Sequence, residues 1–196
     1  MSAYRTVEEL VECVDEPNRG ACRWLLTENL ELFKTAPGSS HNHQAWLGGY
    51  YDHVSEVMNL AVLFYERLGS VRPLPFSLSD ALLVVFLHDL EKPWKYQIGS
   101  DGHITKDTSM TKEERKGFRA RKIREYGIEL TQEHENALRY IEGIPDSEYT
   151  PGARIMGPLA AFCHLCDITS ARIWFEYPNA ENDPWTNAKR STGKRP

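Results

Sequence analysis

The chain lacks the features that would send it outside the cell or into a bilayer. Its longest apolar run, residues 81–87, is far short of the roughly 20 residues a membrane span needs. The opening Met1-Ser2-Ala3-Tyr4-Arg5-Thr6-Val7-Glu8-Glu9-Leu10 has no signal-peptide pattern. Cysteine is scarce. Cys13, Cys22, Cys163 and Cys166 are too few and too scattered for the disulfide framework of a small secreted domain, so reduced thiols and a cytoplasmic location are expected. An excess of positive charge is also missing: a net charge of -5 argues against wholesale wrapping of nucleic acid and leaves room only for a local basic patch. Strand-type alternation is rare, and there is no internal repeat or heptad array.

What is present is helical periodicity. Apolar residues recur at three- and four-residue intervals, and the 196 residues, 41% hydrophobic, suffice for one compact domain over 1–177. Helices are expected over about 7–14, 22–33, 51–68, 79–91, 112–126, 132–142 and 153–177, the last with Gly157-Pro158 able to delay its start by a turn. Thr111 with Glu114 fits a capping box, Gly127 suits a left-handed stop, and Thr131 suits an N-cap. Around the turn-rich Gly99-Ser100-Asp101-Gly102, the flanks Trp94–Ile98 and His103–Thr105 predict a small β-hairpin. Residues 35–47 read as a loop delivering His41 and His43, for which solvent exposure is the ordinary expectation. Residues 178–196, rich in Pro, Asn, Lys and Arg, read as a mobile tail.

Against this background the adjacent His88 and Asp89 stand out, because they close the apolar run and place an imidazole and a carboxylate at the edge of a buried helix. A buried carboxylate without a partner is costly, and a divalent cation could compensate both groups. Further inward polar groups support that reading. His53 shares a helix face with Val57, Leu60, Ala61, Phe64 and Leu68, and Asp167 shares one with Ala160, Cys163, Ala171 and Trp174. Alone, His53 reads as a core histidine and Asp167 as half of a buried salt bridge. Together, His53, His88, Asp89 and Asp167 make a two-histidine, two-carboxylate set suited to manganese, iron, cobalt, nickel, zinc or magnesium.

The arrangement resembles the HD-domain metal phosphohydrolase superfamily over roughly residues 43–172. His43-Gln44-Ala45-Trp46-Leu47-Gly48-Gly49-Tyr50-Tyr51-Asp52-His53 is similar to the family's glycine pair and first ligand, Leu87-His88-Asp89-Leu90-Glu91-Lys92-Pro93 to its His-Asp-x-Gly-Lys segment, and Cys166-Asp167-Ile168 to its last ligand. The resemblance implies a mainly α, HD-domain-like helical bundle, a divalent metal on those four side chains, and hydrolysis of a small phosphorylated substrate, a nucleotide or another phosphate ester. Asp89 would assist proton removal, and Lys92 would neutralise a phosphate oxygen or the leaving group. His134 and Arg172 would be further substrate contacts. Glu91 departs from the family pattern, standing where many relatives have glycine.

Alternatives accompany several of these readings. Extra histidines such as His103 and His134 would support a di-iron oxygenase, but their spacing matches binuclear members poorly; a non-catalytic nucleotide- or metal-binding module is a third class. Lys92 could equally be a solvated lysine at a helix C-terminus, and His134 a core histidine. His164, one turn before Asp167, is a candidate to support the ligands from behind. Cys163-x-x-Cys166 reads as packing thiols within a helix rather than as a zinc or redox motif. Arg115, Lys116, Arg119, Arg121, Lys122 and Arg124 form a basic segment whose ordinary reading is a solvated helix face and whose sharper one is a set of phosphate contacts.

Overall fold

The computed structural model describes residues 4–39, 43–98, 104–106 and 111–173. Its helices are α1 (Val7–Val11), α2 (Asn18–Glu28), α3 (Leu30–Thr35), α4 (Gly49–Val71), α5 (Leu78–Leu87), α6 (Lys92–Lys95), α7 (Lys112–Glu125), α8 (Gln132–Tyr140) and α9 (Pro158–Ile173). Two short strands, β1 (Tyr96–Ile98) and β2 (Ile104–Lys106), pair antiparallel with Tyr96 opposite Lys106. The turn tetrad 99–102 and the tail 178–196 lie outside the described residues. Among those residues no helix is long and apolar enough to cross a membrane.

The mainly α bundle is organised around α5. Every residue from Ala81 to Leu87 is at most 2% exposed, so this helix is apolar all round because it is covered all round. Helix α4 packs against α5 and α9, and α9 also packs against α5 and α8, so α4, α8 and α9 surround α5. Ser77 caps α5: its hydroxyl accepts from the Asp80 N–H at 3.0 Å, and the Asp80 carboxylate accepts from the Ser77 N–H at 2.9 Å. The predicted box at Thr111 and Glu114 forms, Gly127 adopts φ 69°, and Thr131 caps α8.

Among the boundaries that differ from expectation, three have a visible physical cause. The helix expected over 22–33 is two, broken at Asn29, whose φ of -113° leaves the helical range while its side-chain amide donates to the Leu25 carbonyl and to Tyr126 Oη. Helix α9 begins at Pro158 rather than Ala153, as a proline that fixes φ and lacks an N–H favours. Helix α5 stops at Leu87, so His88 is its C-cap, and Asp89 sits in the turn leading to α6. The His-Asp pair therefore ends a helix instead of riding on one.

Candidate metal centre

The end of α5 is where the polar side chains collect. His53 from α4 is fully buried, His88 is 1% exposed and Asp89 3%, and Asp167 from α9 reaches the same point. His53 Nε2 stands 3.2 Å from His88 Nε2 and 3.2 Å from Asp167 Oδ1, and His88 Nε2 stands 3.5 Å from that oxygen. Donors about 2.0–2.1 Å from a shared centre in tetrahedral array would stand about 3.3–3.4 Å apart. The three edges match that spacing, and His53, His88 and Asp167 could hold a metal ion.

Asp89 adjoins this trio, with Oδ2 3.4 Å from His53 Nε2 and 3.2 Å from His88 Nε2. The same oxygen is bound by the Lys92 ammonium, one turn further along the chain. Lys92 is therefore part of the cluster, not a solvated lysine: only 12% of its side chain is exposed.

Donor accounting supports a cation at this point. His88 Nδ1 lies 2.7 Å from the Val85 carbonyl, which can only accept, so Nδ1 carries a proton and the neutral ring turns the Nε2 lone pair toward the other groups. Without a metal, burial pulls the His88 pKa down, but Asp89 and Asp167 outweigh it and push it up to about 10. Burial would raise Asp89, yet Lys92 and His88 hold it well below the usual carboxylate range; Asp167 is likewise held low by its hydrogen bonds to His53 and His88 against the same burial. Two carboxylates thus face one ammonium and one imidazolium, and a divalent ion would take the place of the His88 proton.

Other expected site residues lie elsewhere. His134 is buried, but its ring is occupied: the Thr131 N–H donates to Nδ1 at 3.1 Å, so Nε2 carries the proton it shares with Asp80 Oδ1 at 2.9 Å. Asp80 sits in the first turn of α5 and His88 at its other end, about 12 Å away for eight residues at a rise of about 1.5 Å. His134 is thus a cap and a strut between α5 and α8, and the structure does not bring it to the cluster. His164 also turns away, its Nδ1 2.6 Å from the Ile141 carbonyl, and it ties α9 to α8. Arg172 is exposed in the last turn of α9. Cys163 and Cys166 are buried free thiols, as packing predicts. His41 and His103 lie outside the described residues.

The basic segment is partly structural. Arg119 donates to the carbonyl of His88 and, at 3.1 Å, to that of Leu138, clamping α7 onto the end of α5 and onto α8. Arg119 and Arg124 also line a cavity of about 570 Å³ between α7 and α8. Glu91 does not face solvent freely: burial, then the nearby Asp89 charge, raise its carboxyl above the usual range.

The segment before α4 contributes groups that sequence reasoning missed. The His43 ring packs against His53 with centroids 5.1 Å apart, so the expectation of an exposed loop histidine is overturned. Burial, with His53 and Lys92 adding to it, depresses its pKa to about 3, which keeps the ring neutral. Gln44 is fully buried with φ 45°, and its carbonyl accepts from Gly38 N–H and Trp46 N–H, both at 3.0 Å. A Cβ on Gly49 would stand 1.9 Å from that carbonyl oxygen, which explains the second glycine of the pair physically. Tyr50 is buried against Phe33; burial, then the charges of Asp89 and Glu91, push its phenol well above the usual range. His43 Nε2, Gln44 Oε1 and Tyr50 Oη are buried and without hydrogen-bond partners among the described residues. Only Ser170, three residues after Asp167 and hence on the same side of α9, could have been inferred from spacing.

No protein-family model matches the chain, and neither a curated protein nor a solved structure matches it.

Proposed function

We propose that the protein is a metal-dependent phosphohydrolase of HD-domain type, acting on a nucleotide or another small phosphate ester. The observation that carries the reading is the convergence of His53, His88 and Asp167 at coordination spacing, with Asp89 and Lys92 directly alongside. A bound divalent ion would supply Lewis acidity, acidifying a water and drawing charge from a phosphoryl oxygen. In this reading His53, His88 and Asp167 hold the ion, with Asp89 as the fourth donor. Asp89, kept ionised by Lys92, accepts the proton of the attacking water. Lys92 offers its positive charge to the phosphate oxygens as negative charge builds. His43, neutral and with a free ring nitrogen, and Tyr50, protonated, are polar groups that a substrate oxygen could satisfy.

One observation bears on the oxygenase alternative. It asks for further histidines beside the cluster, and His134 is already committed to Asp80; His103 lies outside the described residues. The test is a screen of manganese-, cobalt-, nickel- and zinc-loaded protein against nucleoside mono- and triphosphates, cyclic nucleotides and generic phosphodiesters, with Asp89→Ala alongside and oxygen uptake followed in parallel. Metal-dependent turnover abolished in Asp89→Ala is the expected result. Turnover indifferent to that change sinks the site, and silence across the panel points to a non-catalytic metal- or nucleotide-binding module.

A further inference from the structure

The two histidines of the cluster have their protons placed by unlike devices. His88 faces a carbonyl, which can only accept, so its Nδ1–H is fixed and its Nε2 is available to a metal. His53 Nδ1 faces the Ser170 hydroxyl at 3.2 Å, and a hydroxyl can donate or accept. What decides His53 is therefore the next group along, and that group is Gln44: its side-chain nitrogen stands 3.3 Å from the same Ser170 oxygen. The neighbouring Thr169 spends its hydroxyl proton on the Leu165 carbonyl of its own helix; no such bond is made by Ser170 among the described residues. Its proton is left to serve one of the two side chains.

With the Gln44 N–H donating to Ser170 Oγ, the Ser170 hydroxyl is left to donate to His53 Nδ1, and that bond would put the His53 proton on Nε2, facing Asp167 and Asp89. This suits a centre held together by hydrogen bonds, and it leaves Gln44 Oε1 buried with nothing to accept among the described residues. Turning the amide over reverses every donor: Ser170 donates to Gln44 Oε1, His53 Nδ1–H donates to Ser170 Oγ, and Nε2 presents a lone pair. The two amide orientations have nearly the same shape, so the turn needs no repacking.

We propose that Gln44 and Ser170 are positioning residues, forming a relay in which the Gln44 amide turns over to put the His53 proton on Nδ1 when a divalent metal binds. The inference rests on the metal reading above. The proton balance is closed: one proton leaves Nε2, one arrives at Nδ1 through water, and the hydroxyl and amide only rotate. The backbone around Gln44 suits a fixed pivot, because a positive φ, full burial, and the packing of Gly38 and Gly49 against it hold the amide in place while its end turns.

The test uses the full chain, labelled with nitrogen-15, titrated with zinc while the imidazole nitrogens are followed by long-range proton–nitrogen spectra. The expected result is that His88 holds its proton on Nδ1 in metal-free protein once neutral and in zinc-bound protein alike, whereas neutral His53 moves from Nε2–H to Nδ1–H on binding. Gln44→Leu and Ser170→Ala should each weaken zinc binding by about ten- to a hundred-fold, and the double variant by no more than the worse single one, because both cut the same relay. Gln44→Glu, which can only accept when ionised, should show His53 Nδ1–H before any metal is added and bind zinc more tightly than Gln44→Leu; if Gln44→Leu fails to fold, the His53 tautomer of this variant and the affinity of Ser170→Ala decide. Native zinc binding with unchanged affinity in the Leu and Ala variants overturns the relay alone. His53 already Nδ1–H before zinc likewise overturns the relay alone, whereas failure of the native protein to bind zinc, or zinc binding that shifts the Nε2 resonance of neither histidine, overturns the metal reading and the relay with it.

Discussion

Replacing Asp89 by Asn is the sharpest test of how the cluster is held together without metal. The substitution keeps the shape and removes the charge. Asp89 Oδ2 accepts from Lys92, whose side chain is 12% exposed, and lies 3.2 Å from His88 Nε2. Removing one partner of a buried charge pair costs about 3–5 kcal/mol, because the other charge stays desolvated. For a chain of this size each kcal/mol moves the melting temperature by about 2–4 °C, so Asp89→Asn should melt about 6–20 °C lower in the presence of a chelator. Lys92→Met in the same background should recover part of the loss, since it removes the stranded ammonium. The assay is thermal and urea denaturation followed by circular dichroism, with chelator and with zinc at about 100 times its dissociation constant, where a ligand-bound native protein gains about 2.7 kcal/mol. A chelated variant within 1 kcal/mol of native, or a second substitution that deepens the loss, would refute an internal Lys92–Asp89 pair.

Four further outcomes are expected. His134→Ala should cost about 1–2 kcal/mol through the lost α8 cap and the Asp80 hydrogen bond while leaving kcat and KM of the screened hydrolysis unchanged, since that ring lies at the far end of α5; a raised KM would return it to the substrate. Gly49→Ala should lose at least about 1–3 kcal/mol and weaken zinc binding together, because the new Cβ meets the Gln44 carbonyl and displaces the loop that carries His43; native stability would contradict that contact. Native protein should expose one rapidly reacting thiol to a disulfide reagent, Cys13, since Cys22, Cys163 and Cys166 are buried. Burial pushes Cys22 up to about 12 against about 8.5 for an unfolded thiol, so the unfolded state binds fewer protons across that window and stability falls by about 1.4 kcal/mol per pH unit; Cys22→Ala should flatten the urea-denaturation slope by that amount.

How much of this was legible in the sequence follows from which interactions are local. The capping box at Thr111, the N-cap at Thr131 and the left-handed Gly127 depend on neighbours three or four residues away, and they form where the pattern places them. The inward faces of His53 and Asp167 were equally readable, because helical periodicity ties a polar residue to the apolar stripe it interrupts. The break at Asn29 was not, since it is stabilised by Tyr126, 97 residues away. His134 shows the limit of the same periodicity argument. Its inward direction was right, yet a stripe says nothing of what waits at its end, and the partner there is Asp80 rather than the cluster of His53, His88 and Asp167.

The groups that stayed hidden have a physical trait in common. His43, Gln44 and Tyr50 lie in or just after a non-periodic loop, where no stripe fixes direction, and each carries a buried polar atom without a partner among the described residues. A buried polar atom left unpaired costs on the order of 1–3 kcal/mol, so folds do not keep three of them on one short segment for packing alone. The segment's backbone is tightly determined, with Gln44 in a left-handed conformation against Gly38 and Gly49 and Tyr50 N–H bound to the Ala36 carbonyl at 3.0 Å. Relaxation that would satisfy those atoms internally is therefore blocked. The same segment brings His43 against His53, and in the reading proposed above the metal-bound state and the substrate would supply partners for those atoms.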